Sequence, residues 1–291
     1  MIQISNLYKK FDCPVLENLN LTIPDGAIFG LVGINGAGKS TLLNLLAGIL
    51  KADQGSILFD GKSVYENWEV KKNIFFLPDD PFYTRNTTPR NLIQVYKTFY
   101  DFSEIDYFDY LAKFNIPINK SMYNFSKGMK RQVFVALSLA IKPKYLFLDE
   151  AFDGLDPVAR MTLKKELIKV QTENNMTVII SSHSLRELSD ICDTYGILDA
   201  KKIESSGEIG LSLNKYHKYT MAFDKELTEG DFDIDFVSFS REKRIINCIT
   251  KLDFASMQNA VSKFNPIILE EMNIDFEELF VLEVQHRGYL K

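Results

Sequence analysis

Apolar and polar residues follow two different periods along this chain, and each period predicts a different kind of element. Short apolar runs bounded by glycine, proline or polar residues predict strands, whereas apolar positions three and four residues apart predict helices. From Ile2 to Ile23, apolar residues recur at short intervals on both sides of the turn-like Asp12-Cys13-Pro14, which predicts an antiparallel section of sheet. Further strands are predicted at 27–32, 55–60, 72–77, 145–148 and 177–180.

Helices are predicted between these strands, and the alternation predicts the fold class. The predicted helices span 39–50, 127–141 and 158–172. Aromatic and leucine residues follow a helical rhythm through much of 81–141, which makes this segment a mostly helical insertion. Strands that alternate with helices in this way predict an α/β fold with a parallel sheet and helices on both faces.

The pattern changes after about Gly207. Strands are predicted near 218–223, 236–240, 244–250 and 267–271, and helices near 254–264 and from Asp275. Strands that are grouped together, rather than alternating with helices, are typical of an α+β arrangement. We therefore expect two domains, one formed by 1–207 and a small α+β appendage formed by 208–291.

The composition is that of a globular protein with enough apolar material for a packed core. Of 291 residues, 46% are hydrophobic and 25% are charged. The net charge of -5 disfavours broad attraction to nucleic acid or anionic lipid, so we expect no nucleic-acid partner. No secretory signal and no apolar run near the roughly 20 residues of a spanning helix is visible, which predicts a cytosolic chain. The three widely spaced cysteines are expected to be reduced packing residues.

A glycine-rich segment between a predicted strand and a predicted helix carries the strongest chemical signal. Gly33-Ile34-Asn35-Gly36-Ala37-Gly38-Lys39-Ser40-Thr41 has a glycine, four further residues, Gly-Lys and then a hydroxyl residue. Glycines let backbone N–H groups turn toward a phosphate, and the helix adds the positive end of its dipole. We expect Lys39 to bridge the β- and γ-phosphate oxygens and Ser40 to ligate Mg²⁺. The predicted nucleotide-binding residues are Asn35, Gly36, Ala37, Gly38, Lys39, Ser40 and Thr41.

Two adjacent carboxylates and one histidine follow the later strands. Asp149 and Glu150 come directly after 145–148, and His183 comes after 177–180 and two serines. Open α/β sheets bind ligands at the carboxyl ends of their parallel strands, so we expect all three at one edge. Asp149 suits a metal, Glu150 suits the attacking water as general base, and His183 suits γ-phosphate sensing. The alternatives are a helix N-cap acid followed by a surface acid, and a structural histidine at a strand end.

A second glycine-bearing helix start follows the helical insertion. Phe125-Ser126-Lys127-Gly128-Met129-Lys130-Arg131 opens a helix whose exposed N–H groups, serine hydroxyl and basic residues form another anion site. The chain has no second loop like the one around Gly33. We therefore expect the serine end of one molecule to complete the nucleotide site of another, in an isologous dimer. The alternative is an ordinary serine-capped amphipathic helix.

These segments together resemble the ATP-binding subunit of an ABC (ATP-binding cassette) transporter, over roughly 1–207. The resemblance rests on five motifs. Residues 33–41 resemble Walker A, and 145–150 resemble Walker B with its catalytic glutamate. Residues 125–130 resemble the ABC signature in the Ser-Lys-Gly-Met form that is common among drug and peptide exporter subunits, Gly154-Leu155-Asp156-Pro157 resembles the D-loop, and His183 resembles the switch histidine. It implies a P-loop NTPase cassette with a RecA-like core, an antiparallel β section and a helical subdomain at about 81–141.

The resemblance also implies how the site works. Two cassettes hold two ATP molecules head to tail, each between the Walker motifs of one subunit and the signature of the other. Ser126 and Gly128 would then contact the second subunit's ATP, so that ATP closes the dimer and hydrolysis opens it. Phe11 lies where the family has an aromatic residue against adenine. Tyr8 is the alternative, and a core or edge-strand phenylalanine would look identical.

One position departs from the family's pattern. The family has glutamine, or glutamate in some exporter subunits, after a strand and Leu-Pro, whereas here Leu77-Pro78 is followed by Asp79-Asp80. We expect the shorter carboxylate of Asp79 to fill that position as a ligand of the metal. The alternative is a turn acid beside Pro78 and Pro81.

By this resemblance the chain is an ATP-binding and ATP-hydrolysing motor subunit of an exporter, with ATP and Mg²⁺ as cofactors. The implied partners are an integral membrane transporter subunit and a second ATP-binding cassette, identical or not. The chain would then be cytoplasmic and peripheral on the inner face of the cell membrane. Two alternatives stay open: a soluble ABC ATPase acting on ribosomes or DNA, and a P-loop small-molecule kinase. The ending 272–280 resembles the closing helix of many exporter cassettes, which predicts a structural or dimer-contact role for the appendage.

Overall fold

The computed structural model describes residues 1–275, 277, 278 and 282, and at 185 and 186 it describes the backbone alone. The chain divides into two compact units, Met1–Ser206 and Gly207–Lys291. Within the described part of the chain, no helix is both long enough and apolar enough to cross a membrane.

The first unit is built from two sheets and the helices between their strands. Its elements are β1 (Ile2–Lys10), β2 (Pro14–Ile23), β3 (Ile28–Val32), α1 (Lys39–Leu46), β4 (Gln54–Phe59), β5 (Lys62–Ser63), α2 (Trp68–Lys71), β6 (Ile74–Leu77), α3 (Pro89–Tyr96), α4 (Glu104–Lys113), α5 (Lys127–Ile141), β7 (Tyr145–Asp149), α6 (Pro157–Asn174), β8 (Thr177–Ser182), α7 (Leu185–Ser189), β9 (Thr194–Asp199) and β10 (Lys202–Glu208). One sheet has the order β2-β1-β4-β5 with antiparallel pairing. The other has the order β10-β9-β3-β8-β7-β6. The predicted α/β fold with an antiparallel section is confirmed.

The parallel pairs of the six-stranded sheet decide where the functional residues lie. β8 pairs in parallel with β3 on one side and with β7 on the other. Every residue of these three strands is buried, and apolar residues predominate in them, as expected for parallel strands covered on both faces. The carboxyl ends of β3, β8 and β7 therefore lie side by side at one edge of the sheet.

Helix α1 ends earlier than the sequence pattern predicts. The leucine spacing predicts a helix to residue 50, whereas α1 stops at Leu46. Gly48 has a φ of 66°, in the left-handed region, and its N–H donates to the carbonyl of Leu45. A left-handed glycine just past the last turn ends a helix without steric cost, and the apolar periodicity alone does not reveal that stop.

The helical part of the first unit centres on α5, in which 12 of 15 residues are buried. Its start at Lys127 is as predicted. The predicted helical insertion begins at 81, but α3 starts only at Pro89, behind the capping box of Thr88. Proline suits the first position of a helix and disfavours a helical backbone in the residue before it, so the helix begins at Pro89 and 81–88 are not helical.

The second unit is an antiparallel sheet with a short helix against an aromatic core. Its elements are α8 (Ile209–Leu213), β11 (His217–Ala222), β12 (Phe236–Glu242), β13 (Ile245–Thr250), α9 (Phe254–Val261) and β14 (Ile268–Met272), with strand order β12-β13-β11-β14. Tyr219, Phe223, Phe232 and Met257 are among its core residues. The strands and α9 lie where the pattern predicts them, and α8 was missed. The closing helix predicted from Asp275 falls mostly outside the described residues.

The three cysteines are free thiols in different surroundings. Cys248 belongs to the core of the second unit, and burial raises its pKa to about 12. Burial likewise raises the pKa of the Cys192 thiol. Cys13 is exposed in the turn between β1 and β2, so the prediction that all three are packing residues is wrong for Cys13.

Candidate functional site

The glycine-rich segment forms the connection between β3 and α1. Gly36 and Gly38 have φ of 83° and 107°, a backbone conformation that L side chains rarely adopt. Gly38 is the N-cap of α1, so no side chain accepts a hydrogen bond from the N–H groups of the first turn. Those N–H groups and the positive end of the helix dipole are available to an anion.

Lys39 is a buried cation at the start of α1, with 6% of its side chain exposed. Its Nζ donates to the carbonyl of Gly33 at 2.7 Å and to that of Ile34 at 3.4 Å. It also lies 3.4 Å from Oε1 of Glu150. Two carbonyls and one carboxylate therefore satisfy the ammonium group and hold it over the loop.

The two adjacent carboxylates lie at the end of β7 in different environments. Asp149 is 3% exposed, and its Oδ1 accepts a hydrogen bond from Ser181 Oγ at 2.5 Å. Glu150 has a φ of 49°, and its N–H donates to the same Ser181 Oγ at 3.0 Å. The N-cap of α6 is Asp156, which accepts hydrogen bonds from two N–H groups of the first turn. The alternative that Asp149 and Glu150 cap a helix is therefore wrong.

His183 lies beside Glu150, just past the end of β8. Its Nδ1 is 3.0 Å from Oε2 of Glu150, and its side chain is 53% exposed. Glu150 thus has one oxygen facing Lys39 and the other facing His183. The structure brings together these three residues, which the sequence analysis selected from three separate segments.

The second predicted anion site is at the start of α5. Ser126 is the N-cap, and its Oγ accepts a hydrogen bond from the N–H of Met129 at 3.1 Å. A Cβ on Gly128 would collide with the carbonyl oxygen of Gly154, so only glycine lets the helix approach this segment. In the described residues, no hydrogen bond or ion pair joins Ser126 or Gly128 to Lys39.

Asp79 follows β6 and lies among cations. Its Oδ1 accepts from Nη2 of Arg131 at 2.5 Å and is 3.5 Å from Nζ of Lys127. Its backbone carbonyl accepts from the same guanidinium at 3.0 Å. The metal-ligand role of Asp79 stays a prediction, and the structure gives this carboxylate two ion-pair partners within the chain.

Phe11 lies in the turn between β1 and β2, and 56% of its surface is exposed. Its ring centroid is 5.4 Å from the ammonium of Lys9. β2 runs close to the glycine-rich loop, since a Cβ on Gly38 would lie 3.1 Å from Val15. An exposed aromatic ring next to this part of the chain is compatible with base stacking. The alternative, Tyr8, is half-buried in β1.

Sequence reasoning missed two residues of this region. Ser181 binds the Asp149 carboxylate, and its place directly before Ser182 and His183 is the only signal. Arg131 was counted among the basic residues of the second anion site, but it is 2% exposed and donates to the backbone carbonyl of Asp149 at 2.9 Å. Its position four residues after Lys127 puts both on one face of α5, which was the available signal.

The parallel sheet and the strand–glycine loop–helix connection define the P-loop ATPase fold. Solved structures of two such proteins show the same architecture. One described as the ATP binding subunit of an ABC transporter has a TM-score of 0.66 at 24% identity, covering 73% of this chain and 91% of the other. An ATP-binding cassette in a dimeric post-hydrolysis state bound to ADP and Pi has a TM-score of 0.64 at 20% identity, covering 72% and 98%.

Sequence comparisons give the family. The family described as ABC transporter matches 16–153, and the one described as AAA domain, putative AbiEii toxin, Type IV TA system matches 119–189.

The ABC transporter ATP-binding protein YtrB of Bacillus subtilis is 29% identical over 97% of both chains. The lantibiotic transport ATP-binding protein SrtF of Streptococcus pyogenes is 35% identical over 70% of this chain and 89% of its own. The methionine import ATP-binding protein MetN of Clostridium tetani is 28% identical over 96% and 94%. The chain therefore belongs to the ATP-binding subunits of ABC transporters and is an ATPase.

Proposed function

We propose that this chain is the motor subunit of an exporter, in which two cassettes close head to tail around two ATP molecules and drive separate membrane-spanning partners. The observation that carries the proposal is the position of Glu150 between Lys39 and His183. A base, a phosphate-binding cation and a histidine at one sheet edge suit cleavage of a terminal phosphate by water.

The chain's own residues divide the work of binding and cleavage. The backbone N–H groups of 35–41 and the ammonium of Lys39 bind the phosphates, and Phe11 stacks on adenine. Glu150 accepts a proton from the attacking water as general base. His183 holds the Glu150 carboxylate through the 3.0 Å contact and senses the γ-phosphate.

The residues around Ser40 fit a magnesium ion. Mg²⁺ prefers hydroxyl, carboxylate and phosphate oxygens, and it is commonly held by one or two carboxylates plus substrate phosphates. Ser40 is exposed in the first turn of α1, and Asp149 is a carboxylate at the end of β7, which is separated from β3 by β8. The ion would neutralise charge on the phosphates. The sequence pattern predicts Asp79 as a third ligand, but its ion pairs with Arg131 and Lys127 argue against that role.

The start of α5 supports the second half of the proposal, the closure of two cassettes. Ser126 is exposed at the N-terminus of a long, buried helix, and Gly128 keeps that helix against 154. Among the described residues no hydrogen bond or ion pair joins either residue to Lys39, which supports a nucleotide contact in a second cassette. One structural neighbour is described as a dimer, which supports the same arrangement.

An apolar groove in the first unit supports a membrane partner. It has a volume of about 650 Å³ and is lined by exposed side chains, among them Phe82 at 88%, Val95 at 59% and Phe99 at 56% exposure. Exposed apolar patches of this kind mark interaction surfaces. Its wall includes Pro78 and Pro81, which flank Asp79 and so connect the groove to the end of β6. We infer that a cytosolic segment of the membrane subunit covers it.

The catalytic assignment is tested by Glu150→Gln, with Glu173→Gln at an exposed position of α6 as the control for the same charge change. Removing a general base lowers turnover by about 10²–10⁴. We expect Glu150→Gln to lose steady ATP hydrolysis by that factor and to keep ATP binding, whereas Glu173→Gln keeps both. Turnover that survives in Glu150→Gln would remove this residue from the mechanism.

The direction of transport is tested in cells that lack the chain. If the chain acts in export, like the lantibiotic transport protein SrtF, these cells should be more sensitive to lantibiotics, and the wild-type chain but not Glu150→Gln should restore resistance. An importer related to MetN predicts reduced uptake of labelled methionine instead.

The apolar groove is tested in the same cells. Phe82→Ser should fail to restore resistance, whereas Phe254→Ser, at an exposed position of the second unit, should restore it.

A further inference from the structure

Four charged side chains meet where β6, β7 and α5 come together, and we name them the charged bridge: Asp79, Lys127, Arg131 and Asp153. Asp79 lies after β6, Lys127 and Arg131 belong to the first two turns of α5, and Asp153 follows Glu150. Their ion pairs measure 2.5 Å for Asp79–Arg131, 3.5 Å for Asp79–Lys127 and 2.6 Å for Lys127–Asp153. The bridge thus links three parts of the candidate site within a single chain.

Arg131 is the buried member of the charged bridge. Its guanidinium donates to the carbonyls of Asp149 and Asp79 and to the Asp79 carboxylate. Among the described residues, Asp79 is the only acid within ion-pair distance of it. The Asp79 carboxylate, itself half exposed, therefore compensates the buried positive charge of Arg131.

Lys127 extends the bridge to the segment after Glu150. The hydrogen bond that Lys127 donates to the Asp153 carboxylate holds the pKa of Asp153 below its usual value and raises the pKa of Lys127. Both side chains are therefore charged at neutral pH. Gly128 lies against the carbonyl of Gly154 directly beside this pair, so the ion pair and the close backbone contact hold the same stretch of α5.

We propose that Asp79 is the counter-ion that positions the start of α5 against the ends of β6 and β7, rather than a ligand of the metal. This inference rests on the proposed function, because the group it positions is Ser126, which would contact the ATP of the second cassette. A metal at Asp79 would lie next to the cations of Arg131 and Lys127, which repel a second positive charge at this carboxylate. Asp79 is thus a positioning residue that ties the chain's own nucleotide site to the surface that it offers to a second cassette.

The experiment separates the two roles by magnesium dependence. In the Glu150→Gln background, binding of a fluorescent ATP analogue is titrated with Mg²⁺, and ATP-driven dimerisation is followed by sedimentation. Asp79→Asn should raise the ATP concentration for half-maximal dimerisation by about tenfold, as expected for loss of a charged hydrogen bond. The Mg²⁺ concentration for half-maximal nucleotide binding should change by less than about twofold. Asp80→Asn, at a neighbouring acid without an ion pair to any described residue, should change neither.

A double-mutant cycle tests whether Asp79 acts through its cations. In an Arg131→Gln background, Asp79→Asn should have little further effect on dimerisation, because the charge it neutralises is gone. If Arg131→Gln does not fold, Lys127→Gln gives the second cycle at a side chain that is 55% exposed.

Two results would overturn the counter-ion role. One is a rise of about tenfold or more in the Mg²⁺ requirement of Asp79→Asn, as expected for a lost ligand. The other is full additivity in the cycles. If the Glu150→Gln parent itself stays monomeric with MgATP, the proposed function fails, and the Mg²⁺ titration of nucleotide binding still decides the role of Asp79.

Discussion

Helices α1 and α5 both begin at glycine-bearing, cation-bearing segments, and the two starts differ in how their polar groups are satisfied. α1 has glycine as its N-cap and no side-chain acceptor for its first N–H groups. α5 has Ser126, whose hydroxyl already accepts one of them. The first start is therefore open to an anion within its own chain, whereas the second presents a serine outward from an end that is already capped.

The buried cations near the two helix starts, Lys39 and Arg131, also differ in the distance to their acidic partners. Lys39 has its acidic neighbour Glu150 at 3.4 Å, with two carbonyls as its other acceptors. Arg131 has Asp79 at 2.5 Å. The Asp79 carboxylate is itself half exposed, but Arg131 also donates to the backbone carbonyls of Asp79 and Asp149, so this short contact fixes the position of α5. The longer contact of Lys39 with Glu150 is more readily exchanged for a phosphate. Similar glycine-bearing and cation-bearing segments can therefore form a binding site at one helix start and a purely structural contact at another.

Lys39→Met should have the largest effect on ATP binding, because Lys39 is the cation at the start of α1. Lys39→Met removes the cation from the loop and keeps the length of the side chain. Charged hydrogen bonds to phosphate contribute up to about 3 kcal/mol, so ATP affinity should fall by about 100-fold in equilibrium binding. Lys130→Met, which removes a cation from α5 outside the charged bridge, should leave binding to the isolated chain unchanged. Equal losses in the two variants would remove the distinction between the helix starts.

Alanine substitutions at Gly36 and Gly61 separate the cost of backbone strain from the loss of phosphate contacts, with a smaller effect on ATP binding than Lys39→Met. Gly36 and Gly61 have φ of 83° and 79°, and a Cβ at either would meet nothing within 4 Å. Each change to alanine should cost about 1 kcal/mol in chemical unfolding, because both backbones are left-handed. Only Gly36→Ala should weaken ATP binding, by about tenfold, since the N–H groups that face phosphate belong to that loop. Weaker ATP binding in Gly61→Ala as well would mean that strain alone explains the result.

Ser126→Ala tests whether the serine at the start of α5 does more than cap the helix. Ser103 caps α4 with the same geometry, its Oγ accepting from the N–H of Asp106 at 3.2 Å. Loss of either cap should lower the free energy of unfolding by about 1 kcal/mol. Only Ser126→Ala should also weaken ATP-driven dimerisation, measured by light scattering. If Ser103→Ala weakened it equally, Ser126 would be no more than a helix cap.

The smallest expected effect concerns pH at the start of α5. The hydrogen bond from Lys127 lowers the pKa of Asp153, so the pair stabilises the fold above the unfolded pKa near 4, and this contribution is lost as the pH falls through the folded value. Asp153→Asn should therefore cost roughly 0.5 kcal/mol between about pH 5 and pH 9, after allowance for solvent screening. In urea titrations the difference from wild type should shrink below about pH 4, whereas a constant difference would show that the ion pair is not its source.

The sequence could predict those parts of the site that depend on spacing along one strand and its following loop. Lys39, Glu150 and His183 each come within a few residues of the end of a buried strand, and parallel pairing brings such ends together. The ion pair between Asp79 and Arg131 could not be predicted, because it depends on how a side chain of α5 points toward a loop 52 residues earlier. Ser181 was missed for the same reason, since its partner is on the neighbouring strand.

The fold was predictable where periodic segments are long. The strands that the pattern predicts in both units lie close to their predicted positions, but β9 and β10 were missed. Helix α8 was also missed, because it has five residues and shows too little periodicity. The early end of α1 depends on the left-handed backbone of Gly48, which the leucine pattern does not contain. Cys13 shows the limit of spacing arguments: it is exposed because it lies in a turn, which its residue type does not reveal.

If ATP joins two cassettes and hydrolysis releases them, a chain that binds ATP but does not hydrolyse it should stay paired. Analytical ultracentrifugation of the Glu150→Gln protein is carried out without nucleotide, with MgADP and with MgATP. We predict a species of one chain in the first two conditions and of two chains holding two ATP molecules in the third. A chain that saturates with ATP and stays monomeric, or that dimerises equally with ADP, would contradict the account.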